Sequence, residues 1–65
     1  MKFLCDQMLG TLAKWLRILG FDTYYPEADM KDSRILDIAK KEGRVLITRD
    51  KELIWDARRN NVENI

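Results

Sequence analysis

The sequence predicts a small α/β domain built on a short parallel sheet. Short apolar runs of strand length alternate along the chain with amphipathic stretches of helix length. Hydrophobic residues make up 46% of the chain and charged residues 35%, the balance of a chain that folds around a core. With 65 residues only one small core can close, so we expect a single domain over residues 1–65, either complete or a fragment of a longer one.

The opening of the chain predicts a strand followed by a helix. Residues 2–5 are an apolar run too short for a helix, and the run stops at Asp6. From Met8 to Leu19 apolar residues recur with the period of an amphipathic helix, and Gly20 follows as a C-cap. We expect the apolar side chains of this helix to lie in the core, among them Leu9, Trp15 and Leu16.

A second strand and helix follow. Residues 22–25 are rich in β-forming side chains, and Pro26 ends the strand. Asp32 or Ser33 can cap a helix that runs to about Glu42, where Gly43 stops it.

The third unit repeats the pattern. Residues 44–48 predict a buried parallel strand, and Asp50 stands where the chain turns into a third helix. In that helix Trp55 lies beside Ile54, which favours packing in the core or at an interface over stacking on bases. Residues 62–65 can form a fourth strand.

The alternation of strands and helices predicts a three-layer domain with strand order 2-1-3-4. In that order a crevice opens between strands one and three at their carboxyl ends, where open α/β sheets bind ligands. Asp6 and Asp50 end these two strands, and Asp32 starts a helix at the same edge. Asp22 and Glu42 should lie at the opposite edge.

The clustered aspartates indicate an oxygen-ligand metal site. Cys5 is the only cysteine and there is no histidine, which excludes an internal disulfide and makes a zinc site implausible. Mg²⁺ or Mn²⁺ bound by Asp6, Asp32 and Asp50 would relieve the repulsion among the carboxylates and support metal-assisted hydrolysis of a phosphodiester. The alternative to a metal site is that each aspartate is only a helix cap. If there is a metal site, Asp29 or Asp37 can replace Asp32 as the third acid.

The charge pattern adds little to the site. The net charge is +1, with a weak basic bias after residue 34, and the best candidates for phosphate contacts are Arg49, Arg17 and Lys51. The apolar runs are too short for a signal peptide or a membrane span, so we expect a cytoplasmic protein with no membrane contact.

Residues 1–10, 12–23 and 35–50 carry a family resemblance, including Thr48-x-Asp50, the signature of PIN domains. In these blocks the chain resembles the Mut-seven C-terminal RNase domain family, a PIN-like group. The resemblance implies a PIN-like fold, dependence on Mg²⁺ or Mn²⁺, RNA as substrate, and Asp6 and Asp50 as the metal-binding acids, with Asp32 matching less firmly. Gln7 departs from the pattern, because some relatives carry an acid there, and the cysteine-rich tail of many members is not present in the sequence.

Two other functions stay open at this point. A non-catalytic PIN-like module would bind a partner or form a homodimer, since a fourth strand would leave an open sheet edge. A receiver-like signalling domain has the same 2-1-3 order and would be phosphorylated on Asp50. Against the receiver, Asp6 is followed by Gln7, where receivers have paired acids.

Overall fold

The sheet at the centre of the molecule has three parallel strands in the order 2-1-3, numbered along the chain, as predicted. A computed structural model describes all residues from Met1 to Ile65. The strands are β1 (Lys2–Cys5), β2 (Asp22–Tyr24) and β3 (Val45–Ile47), and the helices are α1 (Gly10–Ile18), α2 (Asp32–Glu42) and α3 (Lys51–Arg59). A 3-10 turn, Gln7–Leu9, lies between β1 and α1. None of the helices is both long and apolar enough to cross a membrane.

The main core lies between the sheet and the helices α2 and α3. Leu4 and Leu46, on the two paired strands β1 and β3, are fully buried. Nine buried side chains form one cluster around them: Leu4, Ile35, Leu36, Ile38, Ala39, Leu46, Leu53, Ala57 and Val62. Because side chains alternate across a strand, Phe3 and Cys5 point to the other face of the sheet, towards which α1 packs.

Helix α1 forms as predicted, but most of its apolar stripe is not buried. Ala13 is the only buried residue of α1, Leu9 and Leu16 are half-buried, and 56% of Trp15 is exposed. The prediction that Trp15 lies in the core is therefore wrong. The period of a sequence identifies a helix face, but three short strands offer too little surface to cover a stripe this wide.

The predicted fourth strand is not formed. Residues 62–65 make a single parallel bridge, between Leu46 and Asn64. Leu46 donates its N–H to the Glu63 carbonyl at 2.8 Å and accepts from the Ile65 N–H at 3.0 Å. The segment therefore lies beside β3, on the side that the order 2-1-3-4 predicts, but one residue of β3 carries the whole pairing.

Arg44 closes the edge of the sheet where the strands begin. Its side chain is only 9% exposed and forms ion pairs with Asp22 at 3.0 Å and with Glu42 at 2.6 Å. It also donates to the carbonyl of Phe3 at 3.1 Å. The prediction that Asp22 and Glu42 lie away from the carboxyl ends of the strands is confirmed, and both have a structural partner there.

Candidate active site

Asp6 and Asp50 lie where two adjacent parallel strands end. Asp6 follows β1 directly, and its N–H donates to the carbonyl of Ile47 at 2.9 Å, which extends the β1–β3 pairing by one residue. Asp50 is the N-cap of α3, three residues after Ile47 ends β3. Parallel strands bring their carboxyl ends to one edge, so the topology places both aspartates at the carboxyl edge of the sheet, although neither of them lines a hollow there.

The hydroxyl of Thr48 links the two aspartates. Thr48 Oγ1 donates to Asp6 Oδ2 at 2.9 Å and accepts from the backbone N–H of Asp50 at 3.0 Å. Only 6% of Thr48 is exposed, so water competes little with these bonds. This contact gives the Thr-x-Asp signature a physical role, which sequence reasoning missed because it treated the threonine only as part of a resemblance.

Asp50 is a helix cap and still keeps an oxygen for a ligand. Its Oδ1 accepts from the N–H groups of Glu52 at 2.9 Å and Leu53 at 3.4 Å. No protein group donates to Asp50 Oδ2 or to Asp6 Oδ1. Capping and ligand binding are therefore compatible at Asp50, because each uses a different oxygen.

Asp32 lies in the electrostatic neighbourhood of the other two acids. Partial burial raises the pKa of Asp32 above its usual range, and the negative charges of Asp50, Asp6 and Asp56 raise it further. The prediction that Asp32 or Ser33 caps α2 is wrong, because Lys31 occupies the N-cap position and no side chain caps the helix. Asp32 is instead the first residue of α2, where the helix dipole favours a negative charge.

The acids do not form a ready-made cage for a metal. No three acidic or cysteine side chains lie close enough together to hold an ion between them. The donor set nevertheless suits Mg²⁺ or Mn²⁺, which bind carboxylate oxygens and keep several water ligands. Asp6 and Asp50 each offer an oxygen without a hydrogen bond, so two direct carboxylate ligands with water in the other positions fit the residues present.

The alternative third acids differ in their contacts. Asp37 pairs with Arg34 at 3.4 Å and with Lys41 at 3.3 Å on the outer surface of α2. Asp29 lies in the exposed segment before α2 and forms no ion pair. For Asp32, the charges of Asp50 and Asp6 add to the effect of partial burial in raising the pKa, which places this acid near the other two.

The predicted phosphate-binding cations fall into two groups. Arg49 and Lys51 flank Asp50, are exposed and take part in no salt bridge. Arg17 uses its Nε to donate to the carbonyl of Thr23 at 3.0 Å, which ties the last turn of α1 to β2. Arg49 and Lys51 are thus free to meet a ligand at the aspartates, whereas Arg17 already has a structural partner.

Gln7 fixes the loop that follows β2. The side-chain amide of Gln7 donates to the backbone carbonyl of Glu27. The backbone carbonyl of Gln7 accepts from the hydroxyl of Tyr25 at 2.5 Å. The Tyr25 ring in turn lies close to Gly10, where an added Cβ would be 3.0 Å from the Tyr25 hydroxyl and would displace the ring by a few tenths of an ångström. Gln7 therefore has a structural role beside Asp6, at the position where some relatives carry an acid.

A parallel α/β sheet with aspartates after its two adjacent strands defines a small domain with an acidic site at the carboxyl edge. Residues 1–64 match the family described as Mut7-C RNAse domain, and the chain belongs to that family. It is a ribonuclease-type domain, for which RNA is the substrate. The comparisons with curated proteins and with solved structures gave no match. The family membership favours the ribonuclease over the receiver-like interpretation of Asp50.

Proposed function

We propose that this domain hydrolyses RNA phosphodiester bonds with the help of Mg²⁺ or Mn²⁺ held by Asp6 and Asp50, with Asp32 as the third acid. The observation that carries the proposal is the Thr48 hydroxyl, which fixes Asp6 and the backbone of Asp50 together at 2.9 and 3.0 Å. A buried hydrogen bond that orients a carboxylate is typical of sites in which that carboxylate binds an ion.

The residues of the site have separate tasks in this reaction. A bound divalent cation supplies an activated water and offsets negative charge on the phosphodiester. Asp6 and Asp50 would hold the cation, and Thr48 keeps the Asp6 carboxylate in place through its hydrogen bond. Arg49 and Lys51 are the cations nearest in sequence to Asp50 and would bind the phosphates on either side of the scissile bond.

The finer structural class is part of the same proposal. Helices α2 and α3 cover one face of the sheet, and α1 contacts β1 and β2. We take this layering as PIN-like, with the segment at 62–65 as the remnant of a fourth strand beside β3. A ribonuclease of this kind would act in the cytoplasm, where its substrate is found.

The test is cleavage of a labelled RNA by the purified chain with Mn²⁺, with Mg²⁺ and with EDTA. We expect cleavage with either metal and none with EDTA. Asp6→Asn should abolish it, because the neutral amide lacks the negative charge with which the carboxylate holds a divalent cation. Glu63→Gln is the matched control, since Glu63 is an exposed acid in no salt bridge and its loss changes the net charge equally. Equal cleavage by parent and Asp6→Asn would remove Asp6 from the mechanism.

The exposed stripe of α1 favours a second candidate function, the homodimeric interaction module. Leu12 and Trp15 lie three residues apart on α1, and 38% and 56% of them are exposed. Met8 in the preceding 3-10 turn and Leu19 at the C-cap, 75% and 70% exposed, extend this apolar surface at its two ends. Two such stripes would bury on the order of 1,000 Å² together, near the lower limit of specific interfaces. Sedimentation equilibrium would show a dimer that Trp15→Glu dissociates, and a monomeric parent would exclude this candidate.

A further inference from the structure

Trp55 is the only aromatic residue of α3 and the most exposed aromatic side chain of the protein, and packing in the core does not explain it. Its side chain is 66% exposed, whereas Leu53 and Ala57, two residues to either side, are buried. At about 100° per residue those two positions face the sheet and Trp55 faces away from it. The indole therefore stands on the outer face of the helix.

The charges around the indole differ between its two sides. On one side a hollow of about 270 Å³ is lined by Lys51, Ile54, Trp55 and Arg58, with no acidic residue among them. Lys51 and Arg58 take part in none of the five salt bridges. On the other side a hollow is lined by Glu52, Trp55, Asp56 and Arg59, and there Arg59 pairs with Asp56 at 3.9 Å. Only the first side combines an aromatic face with unpaired positive charge.

This face is continuous with the candidate active site. Lys51 is the first residue of α3 and follows Asp50, the N-cap of the same helix. Trp55 lies five residues beyond Asp50, about 7.5 Å along the axis at about 1.5 Å per residue. A strand whose backbone reaches the aspartates can thus continue over the indole, with Lys51 and Arg58 beside its phosphates.

We propose that the outer face of α3 binds single-stranded RNA, with a base stacked on Trp55 and flanking phosphates held by Lys51 and Arg58. An aromatic platform beside a row of cations is the recurrent way in which proteins hold single strands. Duplex RNA binds less tightly, because its bases stack on one another and are not available to the indole. The inference rests on the proposed function for its choice of RNA, but binding at Trp55 requires neither metal nor cleavage.

Trp15 provides an internal control. It is exposed to a similar degree, 56%, but its neighbours one helical turn away are Thr11, Leu12, Ile18 and Leu19, none of which is charged. If exposure of an apolar aromatic surface were enough for RNA binding, Trp15 and Trp55 would contribute equally to the affinity. A stacking site that needs adjacent cations acts only at Trp55.

The experiment measures binding of a short fluorescent single-stranded RNA by anisotropy in EDTA, so that metal-dependent cleavage does not interfere. We expect Trp55→Leu to weaken binding about tenfold or more and Trp55→Phe to retain most of it. Trp15→Leu should leave it unchanged when all proteins are measured at a concentration at which the chain is monomeric. Arg58→Gln should lower the slope of log affinity against log salt by about one, the mark of one lost phosphate contact. Circular dichroism of each variant confirms that it is folded.

Several results would overturn the inference, and they are separable from failure of the nuclease proposal. Binding by Trp55→Leu equal to that of the parent, no binding by the parent, or an equal loss in Trp15→Leu removes the site at Trp55. Loss of self-association without loss of RNA binding in Trp55→Leu assigns this face to a contact between copies of the chain. Binding that depends on Trp55 in a chain without metal-dependent cleavage leaves this inference standing and refutes the proposed activity.

Discussion

Thr48 and Asp6 are 42 positions apart in the chain, and their side chains meet at 2.9 Å at the carboxyl edge of the sheet. The same hydroxyl accepts from the N–H of Asp50. A threonine can make both bonds at once because its hydroxyl is a donor and an acceptor. Valine has the same shape and neither capacity, which makes this position a sensitive test of how the site is held together.

Thr48→Val should lower the rate of metal-dependent cleavage at least tenfold and reduce the free energy of unfolding by about 1–3 kcal/mol, because it leaves Asp6 Oδ2 and the Asp50 N–H without partners. Thr48→Ser restores the hydroxyl and should recover most of the activity. Cleavage rates and urea unfolding of the three proteins check this. A fully active Thr48→Val would show that the link between the aspartates is not needed for function.

The sequence predicted the positions of the strands and of Asp6 and Asp50, because hydrophobic period and right-handed crossovers leave few arrangements of a chain this short. The parallel order 2-1-3 followed from the same rules. The edge of the sheet that carries Asp6 and Asp50 could therefore be identified without coordinates. The bond between Thr48 and Asp6 could not, because it depends on the side-chain rotamers of residues far apart in sequence.

Both tryptophans are exposed, which excludes the core position predicted for Trp15 and offered for Trp55 as one of two alternatives, and the cause is the same for both. Trp15 and Trp55 lie next to apolar residues in sequence, which favoured burial, but a helix buries only the arc that its neighbours cover. On α3 this arc holds Leu53 and Ala57. The width of the buried arc of a helix cannot be predicted from the residues next to a tryptophan in sequence, because it depends on the size of the sheet that covers the helix.

Asp32→Asn should stabilise the protein in the absence of metal at neutral pH. Because burial and the charges of Asp50, Asp6 and Asp56 raise the pKa of Asp32, its ionised form is less favourable in the fold than in the unfolded chain. This penalty is absent below the usual carboxyl pKa and appears as the pH rises through the raised pKa. Since Asp32 is exposed, the gain at pH 7 should be about 0.5 kcal/mol or less.

The measurement is Tm of parent and Asp32→Asn at pH 7 and in acid, each with and without Mn²⁺. The two proteins should converge in acid, where Asp32 is protonated in both states. Mn²⁺ should raise Tm of the parent more than that of the variant, because an ion bound to the folded state stabilises it and loss of the Asp32 charge beside the site weakens that binding. An equal response to Mn²⁺ would mean that Asp32 is not the third acid.

Arg44→Met should destabilise the fold without changing the chemistry. The substitution removes ion pairs to Asp22 and Glu42 and leaves the carbonyl of Phe3 without its donor, at a cost of about 1–3 kcal/mol. Arg44→Lys should recover only part of this, because an ammonium cannot reproduce the guanidinium fork. Below the lowered Tm, the cleavage rate should equal that of the parent, and a reduced rate would show that the two edges of the sheet are coupled.

Asp50→Asn should abolish metal-dependent RNA cleavage with little loss of stability. Asp50 Oδ1 accepts from the N–H groups of Glu52 and Leu53, and asparagine is nearly as good an N-cap as aspartate, so the free energy of unfolding should change by about 0.5 kcal/mol or less. What the amide loses is the negative charge that holds a cation on the other oxygen. If Asp50 is only a helix cap, Asp50→Asn should change neither Tm nor the cleavage rate. If Asp50 binds the metal, Asp50→Asn should abolish cleavage and leave Tm almost unchanged. If Asp50→Asn cleaves as fast as the parent in saturating Mn²⁺, or if the parent does not cleave even when joined to any natural C-terminal extension, the nuclease proposal fails and the interaction module takes its place.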